Sequence, residues 1–336
     1  PEELGSALEQ AKSEALRSFK DDEVYLEKLI LNPRHIEVQI FGDEHGKIVY
    51  LGERECSVQR RHQKVVEESP SSFVDPDMRR RMGETAVRVG QAAKYTNAGT
   101  VEFLVDRDKN FYFLEMNTRL QVEHPVTEWV TGLDLVHLQI RVAAGEPLPF
   151  NQEDVHLRGH AIECRVYAED PDNNYMPSPG TITRLLQPSG PGIRRDSGMY
   201  EGFTVPIDYD PLLAKVIGYG TTRRDAINRL NRAMYEYFVG GIKTNISLFR
   251  RILRDPDFIA GNIDTGYLDR LLAQSPARQN GPKPHPELAA LAAALFTQFE
   301  GGIAASNGHG SMQASNGAAS STAWKRAARL EALRQE

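Results

Sequence analysis

Apolar and polar positions alternate with a period of two over several stretches in the first half of the chain, the pattern of strands with one packed face. From Arg34 to Phe41 the inward positions are Ile36, Val38 and Ile40. Asp43-Glu44-His45-Gly46 reads as a turn, and Lys47 to Leu51 as the returning strand. Val24 to Ile30 is also strand-like. Gly99 to Asp106 and the run from Phe111 read as a hairpin joined by Arg107-Asp108-Lys109-Asn110. Elsewhere the period lengthens to that of a helix. Residues 2–19 put Leu4, Ala7, Leu8, Ala11, Ala15 and Leu16 on one face. Asp75-Pro76 caps a helix to about Lys94, with Met78, Met82, Ala86, Val89 and Ala93 as its buried stripe. Leu133 to Ala144 reads as a helix ended by Gly145.

Past residue 157 the texture changes to short strands and many turns. Gly159 to Asp170, Thr181 to Leu186 and Leu212 to Tyr219 read as strands, and Thr221 to Val239 and Asn245 to Leu253 as helices. The fold class expected is α+β, with a small α+β domain after the first. Beyond about Leu272 the signal decays. Leu288 to Phe299 reads as an Ala/Leu helix, residues 300–323 as a flexible linker, and Trp324 to Gln335 as a short basic helix.

A length of 336 residues suffices for two or more domains. A net charge of −6 gives no case for general nucleic-acid binding. No apolar run approaches membrane-spanning length, and no signal peptide leads the chain. Cys56 and Cys164 make no disulfide framework, so a reducing, cytoplasmic setting is the default expectation. His124 and His137 lack metal-ligand partners at useful spacing and read as structural.

The candidate chemistry lies from Phe111 to Glu123. Glu115, Asn117, Arg119, Gln121 and Glu123 share one parity, while Met116, Leu120 and Val122 take the other. A solvated strand face would show the same alternation. The identities argue against it: two acids bracket two amides and a guanidinium, the groups that an anion and a metal ion need. A symmetric hairpin sets Glu102 across from Glu115 on the same face. Facing like charges destabilise a hairpin, and a divalent cation between them, with Asn117 as a further oxygen ligand, removes the conflict. Hard oxygen ligands suit Mg²⁺ or Mn²⁺ shared with a nucleotide phosphate. Gln59 to Glu68 is either a solvated basic patch or an anion contact through Gln59, His62 and Lys64. Arg165 shares the parity of Glu163, which alone would make it a surface arginine.

Several segments together resemble biotin carboxylase, the ATP-grasp component of acetyl-CoA, propionyl-CoA and related acyl-CoA carboxylases. They are Asn32 to Glu37, Glu53 to Ser57 with Gln59 to Lys64, Phe113 to Pro125, Arg158 to Arg165, Pro177 to Gly180 and Gly241 to Asn245. The resemblance covers roughly residues 1–272. It implies an ATP-grasp core over 30–156 and a biotin carboxylase C-terminal domain over 157–272. Residues 1–29 would be the end of the ATP-grasp lid, and 273–336 a helix, linker and basic tail. Glu27, Lys28 and Ile30 would line the adenine pocket, and His35, Gln59 and His62 the ribose and phosphate side. Glu102, Glu115 and Asn117 would hold the metal ions on ATP. Lys64, Arg119, Gln121 and Val122 would hold bicarbonate, with Glu123 as its base, and Arg165 would stabilise the enolate form of biotin.

The implied reaction is carboxylation of biotin on a carrier protein through carboxyphosphate, feeding a carboxyltransferase in fatty acid or acyl-CoA metabolism. A homodimer is implied as well. Two departures stand out. The glycine-rich phosphate loop and lid lysines of the family are not in this sequence, so the expectation is that this chain alone carboxylates biotin poorly. No lysine is flanked by methionines, so the biotin-acceptor pattern is not in this sequence either. The alternatives are a carbamoyl-phosphate-forming ATP-grasp ligase, which shares the Glu-x-Asn pair but does not need the Arg165 segment, and a non-catalytic docking or dimerisation module.

Overall fold

The computed structural model describes residues 3–206, 208–274 and 291. Among these, an eight-stranded antiparallel sheet carries the site. Its strands are β1 (Arg34–Gly42), β2 (Ile48–Arg60), β3 (Gln63–Ser69), β4 (Asn97–Val105), β5 (Phe111–Asn117), β6 (His160–Tyr167), β7 (Ile193–Ser197) and β8 (Leu212–Gly220). Their spatial order is β7-β8-β6-β3-β2-β1-β4-β5. The change of texture near residue 157 does not interrupt the sheet, because β3 pairs directly with β6.

Helix α1 (Leu4–Phe19) precedes β1, and α2 (Pro76–Ala92) covers one face of the sheet. There Ile36, Val38, Ile40, Val101, Phe103 and Val105 pack on Met78, Met82 and Ala86. Asp75 caps α2 by accepting from the Met78 amide, as its position before Pro76 demands. Ala93 is exposed, and Gly83 and Gly90 complete the stripe instead. A Cβ on Gly83 would lie 2.5 Å from the Tyr50 ring, so this helix–sheet approach requires glycine.

The opposite face is polar and nevertheless buried. Helix α3 (His124–Thr131) lies against β2, β3, β6 and β8 and covers it. Helix α4 (Leu135–Ala143) closes one end, where Leu135, Leu138 and Val142 pack on Phe41, Val49 and Ala98. Helices α5 (Arg223–Glu236), α6 (Ile246–Ile252), α7 (Pro256–Ala260) and α8 (Tyr267–Ala273) build the largest core. Val66, Cys164, Val166 and Val216 of the sheet meet Ile227, Leu230, Phe249, Phe258 and Leu268 there.

The structure corrects several sequence expectations. Val24 to Ile30 is not a strand: it pairs with no described strand, and Tyr25, Leu26 and Leu29 are exposed. Helix α1 forms, yet none of its residues is buried. The extended reading of 111–123 ends at Asn117, after which the chain folds back and Glu123 becomes the N-cap residue of α3. Helix α3 and strand β7 were not foreseen. The strand expected over 181–186 is two short pieces, Gly180–Thr181 and Arg184–Leu186. The latter pairs with Phe238–Gly240, which ends α5 earlier than its periodicity indicated. The expectations for 288–299 and 300–335 lie outside the described residues. Both cysteines are buried and free. No described helix is long and apolar enough to cross a membrane.

Candidate active site

Antiparallel register lays a row of charged side chains across the polar face. Arg54 on β2 pairs with Glu37 on β1, Glu37 with Glu102 on β4, and Glu102 with Glu115 on β5. The last pairing is the one expected from the hairpin, although the hairpin is not symmetric. From the loop the register runs Phe103 to Phe113, and a bulge at Leu114 then brings Glu115 opposite Glu102. On the far side of the sheet Glu67 of β3 pairs with Glu163 of β6.

Arg54 is the fixed point of this face. It is fully buried and donates to Glu37 at 2.5 Å, Gln39 at 2.7 Å, Thr127 at 3.0 Å, Thr100 at 3.1 Å and Gln121 at 2.9 Å. One guanidinium thereby ties β1, β4, α3 and the loop before α3 to β2. Burial alone would raise the Glu37 carboxyl, but Arg54 and Lys64 hold it down at about 2.

Lys64 donates from Nζ to Glu37 at 2.6 Å, Glu102 at 3.0 Å and Glu123 at 2.6 Å. These carboxylates raise its pKa against the opposing effect of burial. Among the described residues, the two clusters tight enough to hold an ion, His35-Glu37-Glu102 and Glu37-Cys56-Glu123, therefore already share one ammonium group. Arg165 is buried as well, correcting the surface reading. Its Nε donates to Glu67 Oε1 at 2.5 Å and its Nη2 to Glu123 Oε2 at 2.9 Å. Glu123 is thus clamped, one oxygen by Lys64 and the other by Arg165.

The Glu102 end is more open. Glu102 Oε1 accepts from Gln121 at 2.9 Å and Asn117 at 3.1 Å, and Oε2 lies 2.9 Å from His35 Nε2. Gln59 reaches His35 Nδ1 at 3.0 Å. Asn117 Nδ2 also donates to Glu115 at 3.2 Å, and Arg119, which is exposed, reaches Asn117 Oδ1 at 3.4 Å. The Asn117 amino group thus sits between the two carboxylates, where like charges meet. Half a turn of that amide puts its oxygen there instead, giving three oxygen donors. Glu102, Glu115 and Asn117 therefore fit a hard divalent cation.

Other expected residues lie apart from this cluster. Glu27 is exposed, Ile30 is half-buried, and Lys28 reaches Tyr112 OH at 3.0 Å. His62 sits at the exposed tip between β2 and β3 with φ 65°. Neither Glu27 nor His62 makes a hydrogen bond or ion pair to the cluster. Val122 contributes its carbonyl, which accepts from Lys215 at 2.9 Å. His124 bonds the Gln121 carbonyl at 2.8 Å, in keeping with the structural reading. Sequence reasoning assigned no role to Glu37, Arg54, Glu67, Glu163 or Lys215. A signal was present for the first: His35, Glu37 and Gln39 are polar positions of one parity between Ile36, Val38 and Ile40.

Comparison with known proteins defines the class. Residues 1–151 match the family described as "Carbamoyl-phosphate synthase L chain, ATP binding domain", and residues 163–270 match "Biotin carboxylase C-terminal domain". An ATP-grasp core is thus followed by the C-terminal domain particular to biotin carboxylases. The chain is 50% identical over 271 residues to the biotin carboxylase of Nostoc sp., covering 81% of this chain and 61% of that protein. It is 49% identical over 308 residues to the mitochondrial propionyl-CoA carboxylase alpha chain of Homo sapiens, covering 89% and 42%. The biotin carboxylase domain of a thermophilic 2-oxoglutarate carboxylase bound to bicarbonate aligns with a TM-score of 0.79 and 44% identity, over 81% of this chain and 62% of that one. The biotin carboxylase–β,γ-ATP complex from Campylobacter jejuni aligns with a TM-score of 0.76 and 46% identity, over 80% and 60%. The chain belongs to the biotin carboxylase family. It spans 61% and 42% of the length of these two curated relatives, and 37% of the mitochondrial methylcrotonoyl-CoA carboxylase subunit alpha of Mus musculus, to which it is 49% identical.

Proposed function

We propose that the protein to which this chain belongs carboxylates biotin on a carrier protein, using ATP and bicarbonate and passing through carboxyphosphate. The observation that carries this reading is the clamp on Glu123. A carboxylate held between Lys64 at 2.6 Å and Arg165 at 2.9 Å, at the head of α3, suits a base that must meet an anion and release a proton. Exposed Arg119 would cancel the charge of bicarbonate, with Gln121, Lys64 and Val122 around it. Glu123 would take the bicarbonate proton. Arg165, fixed by Glu67 below, would stabilise the oxyanion of deprotonated biotin. Glu102, Glu115 and Asn117 would hold Mg²⁺ or Mn²⁺, which supplies charge neutralisation on the nucleotide phosphates when bound. His35 and Gln59, joined to Glu102, would face the same nucleotide, and Glu27, Lys28, Ile30 and His62 would close over it.

The ATP-binding match carries the name of carbamoyl-phosphate synthase, the alternative raised by the sequence. The match over 163–270 and the Glu123–Arg165 contact favour biotin chemistry. Partners would be a biotin carboxyl carrier, a carboxyltransferase and a second copy of the chain. The ultimate acceptor would be an acyl-CoA, as in the propionyl-CoA and methylcrotonoyl-CoA relatives. A cytoplasmic setting is proposed from the free cysteines, although several relatives are mitochondrial. The test is ADP release by the full-length protein with bicarbonate, with and without biotin. Biotin-dependent release that Arg165→Ala abolishes supports the reading, and biotin-independent release overturns it.

A further inference from the structure

Five glutamates, Glu37, Glu67, Glu102, Glu123 and Glu163, crowd Arg54, Lys64 and Arg165 on the buried polar face, where Arg54 bonds Glu37. Glu37, Glu102 and Glu123 bond Lys64, while Glu67 and Glu123 bond Arg165. Glu163 bonds none of them. It is fully buried, and both of its carboxyl oxygens lack a hydrogen-bond partner. Its cross-strand neighbour Glu67 has one buried oxygen, Oε2, in the same condition, while Oε1 receives Arg165. Three orphan oxygens thus occur on two carboxyl groups in register.

We propose that Glu163 is a positioning residue of this site, kept as a neutral carboxylic acid that donates its proton to Glu67 Oε2 and so holds Glu67 as the ionised anchor of Arg165. Two ionised carboxylates facing each other in a dry layer would be strongly repelled and unsolvated. One proton between them removes the repulsion and satisfies an orphan acceptor. The charged groups facing Glu163 are Glu67 on β3, Lys215 on β8, Arg165 on its own strand and Glu123 at the start of α3. Lys215 is directed instead to the Val122 carbonyl at 2.9 Å and to Asp196 at 3.4 Å. Burial and Glu67 push the Glu163 carboxyl well above its ordinary range, and the nearby cations do not restore it. Arg165 keeps the preference the other way round for Glu67, which burial raises only to about 7. An ionised Glu163 would add a third anion near the Arg165 guanidinium and draw it into the sheet, away from Glu123. The catalytic consequence rests on the carboxylation reading above; the protonation does not.

The test has two parts. In the full 336-residue chain at neutral pH, infrared spectroscopy is expected to show the carbonyl stretch of a protonated carboxylic acid that Glu163→Gln removes. Urea unfolding of the wild type is expected to need less denaturant as pH rises from 5 to 8, because the folded state binds the extra proton. Glu163→Gln flattens that slope. In the full-length enzyme, Glu163→Gln moves the alkaline limb of biotin-dependent turnover to higher pH. Glu163→Leu, neutral but unable to donate, lowers kcat/KM for biotin by about tenfold, the worth of one weakened charge-assisted hydrogen bond. Absence of the acid band, or an unfolding slope unchanged in Glu163→Gln, overturns the proposal whatever the enzyme does. A wild-type enzyme without biotin-dependent turnover overturns the carboxylation reading and leaves the protonation standing.

Discussion

Two of the cross-strand glutamate pairs in the sheet, Glu102–Glu115 and Glu67–Glu163, have surroundings that differ in almost every respect. Glu102 receives Lys64, His35, Gln121 and Asn117, and its partner Glu115 is exposed to water. Glu67 receives Arg165 on Oε1, while its Oε2 and both Glu163 oxygens meet no donor from any other described residue. Strand pairing alone therefore does not decide what a like-charged pair does. An open pair rich in donors has room for a metal ion, whereas a dry pair has room only for a proton. Glu123 joins the two halves, with one oxygen on Lys64 and the other on Arg165.

Removing that junction is the largest test. Glu123→Gln keeps shape but loses the proposed base, and turnover of the full-length protein should fall about 10²- to 10⁴-fold. Bicarbonate-dependent ADP release measures it. Activity near the wild-type level would show that the halves act without Glu123. Next comes Lys64→Met, which leaves Glu37, Glu102 and Glu123 without their shared cation. Breaking such buried pairs costs about 3–5 kcal/mol, read as a lower midpoint in urea. An unchanged midpoint would mean that the open pair does not depend on Lys64.

Two adjacent residues of β3 sharpen the contrast through pH. Burial pushes Glu67 up to about 7, while Arg223 and His160 overcome burial and hold Glu68 down at about 2. Arg223 Nε and His160 Nε2 lie 2.6 and 2.7 Å from Glu68. A depressed carboxyl contributes stability above its unfolded pKa, lost as pH falls from about 4.5 to about 2. A raised pair does the reverse: the proton that Glu163 holds against Glu67 contributes stability that is complete below about 4.5 and is lost as pH climbs through the raised range of the pair. Glu68→Gln should therefore weaken the acid limb of a urea-midpoint profile, and Glu67→Gln the alkaline limb. The same limb responding to both would break the distinction between the two sides of the strand.

Much of this was legible from pattern. Strand β1, helix α2, the hairpin of β4 and β5 and the Glu102–Glu115 pairing all follow from periodicity and turn residues. The pairing was reached through an asymmetric loop and a compensating bulge, which no residue count reveals. The polar row was harder to read, because period-two alternation normally means one wet face. Here α3 covers that face, and α3 was hidden because the alternation of Glu115 to Glu123 continues through residues that leave the sheet after Asn117. Arg165 looked like a surface residue for the same reason. Long-range packing, absent from any local window, turned a polar strand face into a buried site. The roles assigned within it came from family resemblance and from the donors now seen around each carboxylate.

The smallest effect separates a repelled pair from a metal site. Without divalent cations, Glu115→Gln removes an exposed charge that accepts from the Asn117 amide at 3.2 Å. Such surface changes stay within about 0.5 kcal/mol. Relief of repulsion from Glu102 should make the sign slightly stabilising. Mg²⁺ or Mn²⁺ at about 100 times its dissociation constant should stabilise the wild type by about 2.7 kcal/mol and the variant much less. A thermal shift with each metal, with and without a chelator, reads both quantities in one series. Glu163→Gln should respond to the metals as the wild type does, because its proton lies on the other side of Glu123. Equal metal stabilisation of wild type and Glu115→Gln would place the cation elsewhere, and the two glutamate pairs would then differ only in their exposure to water.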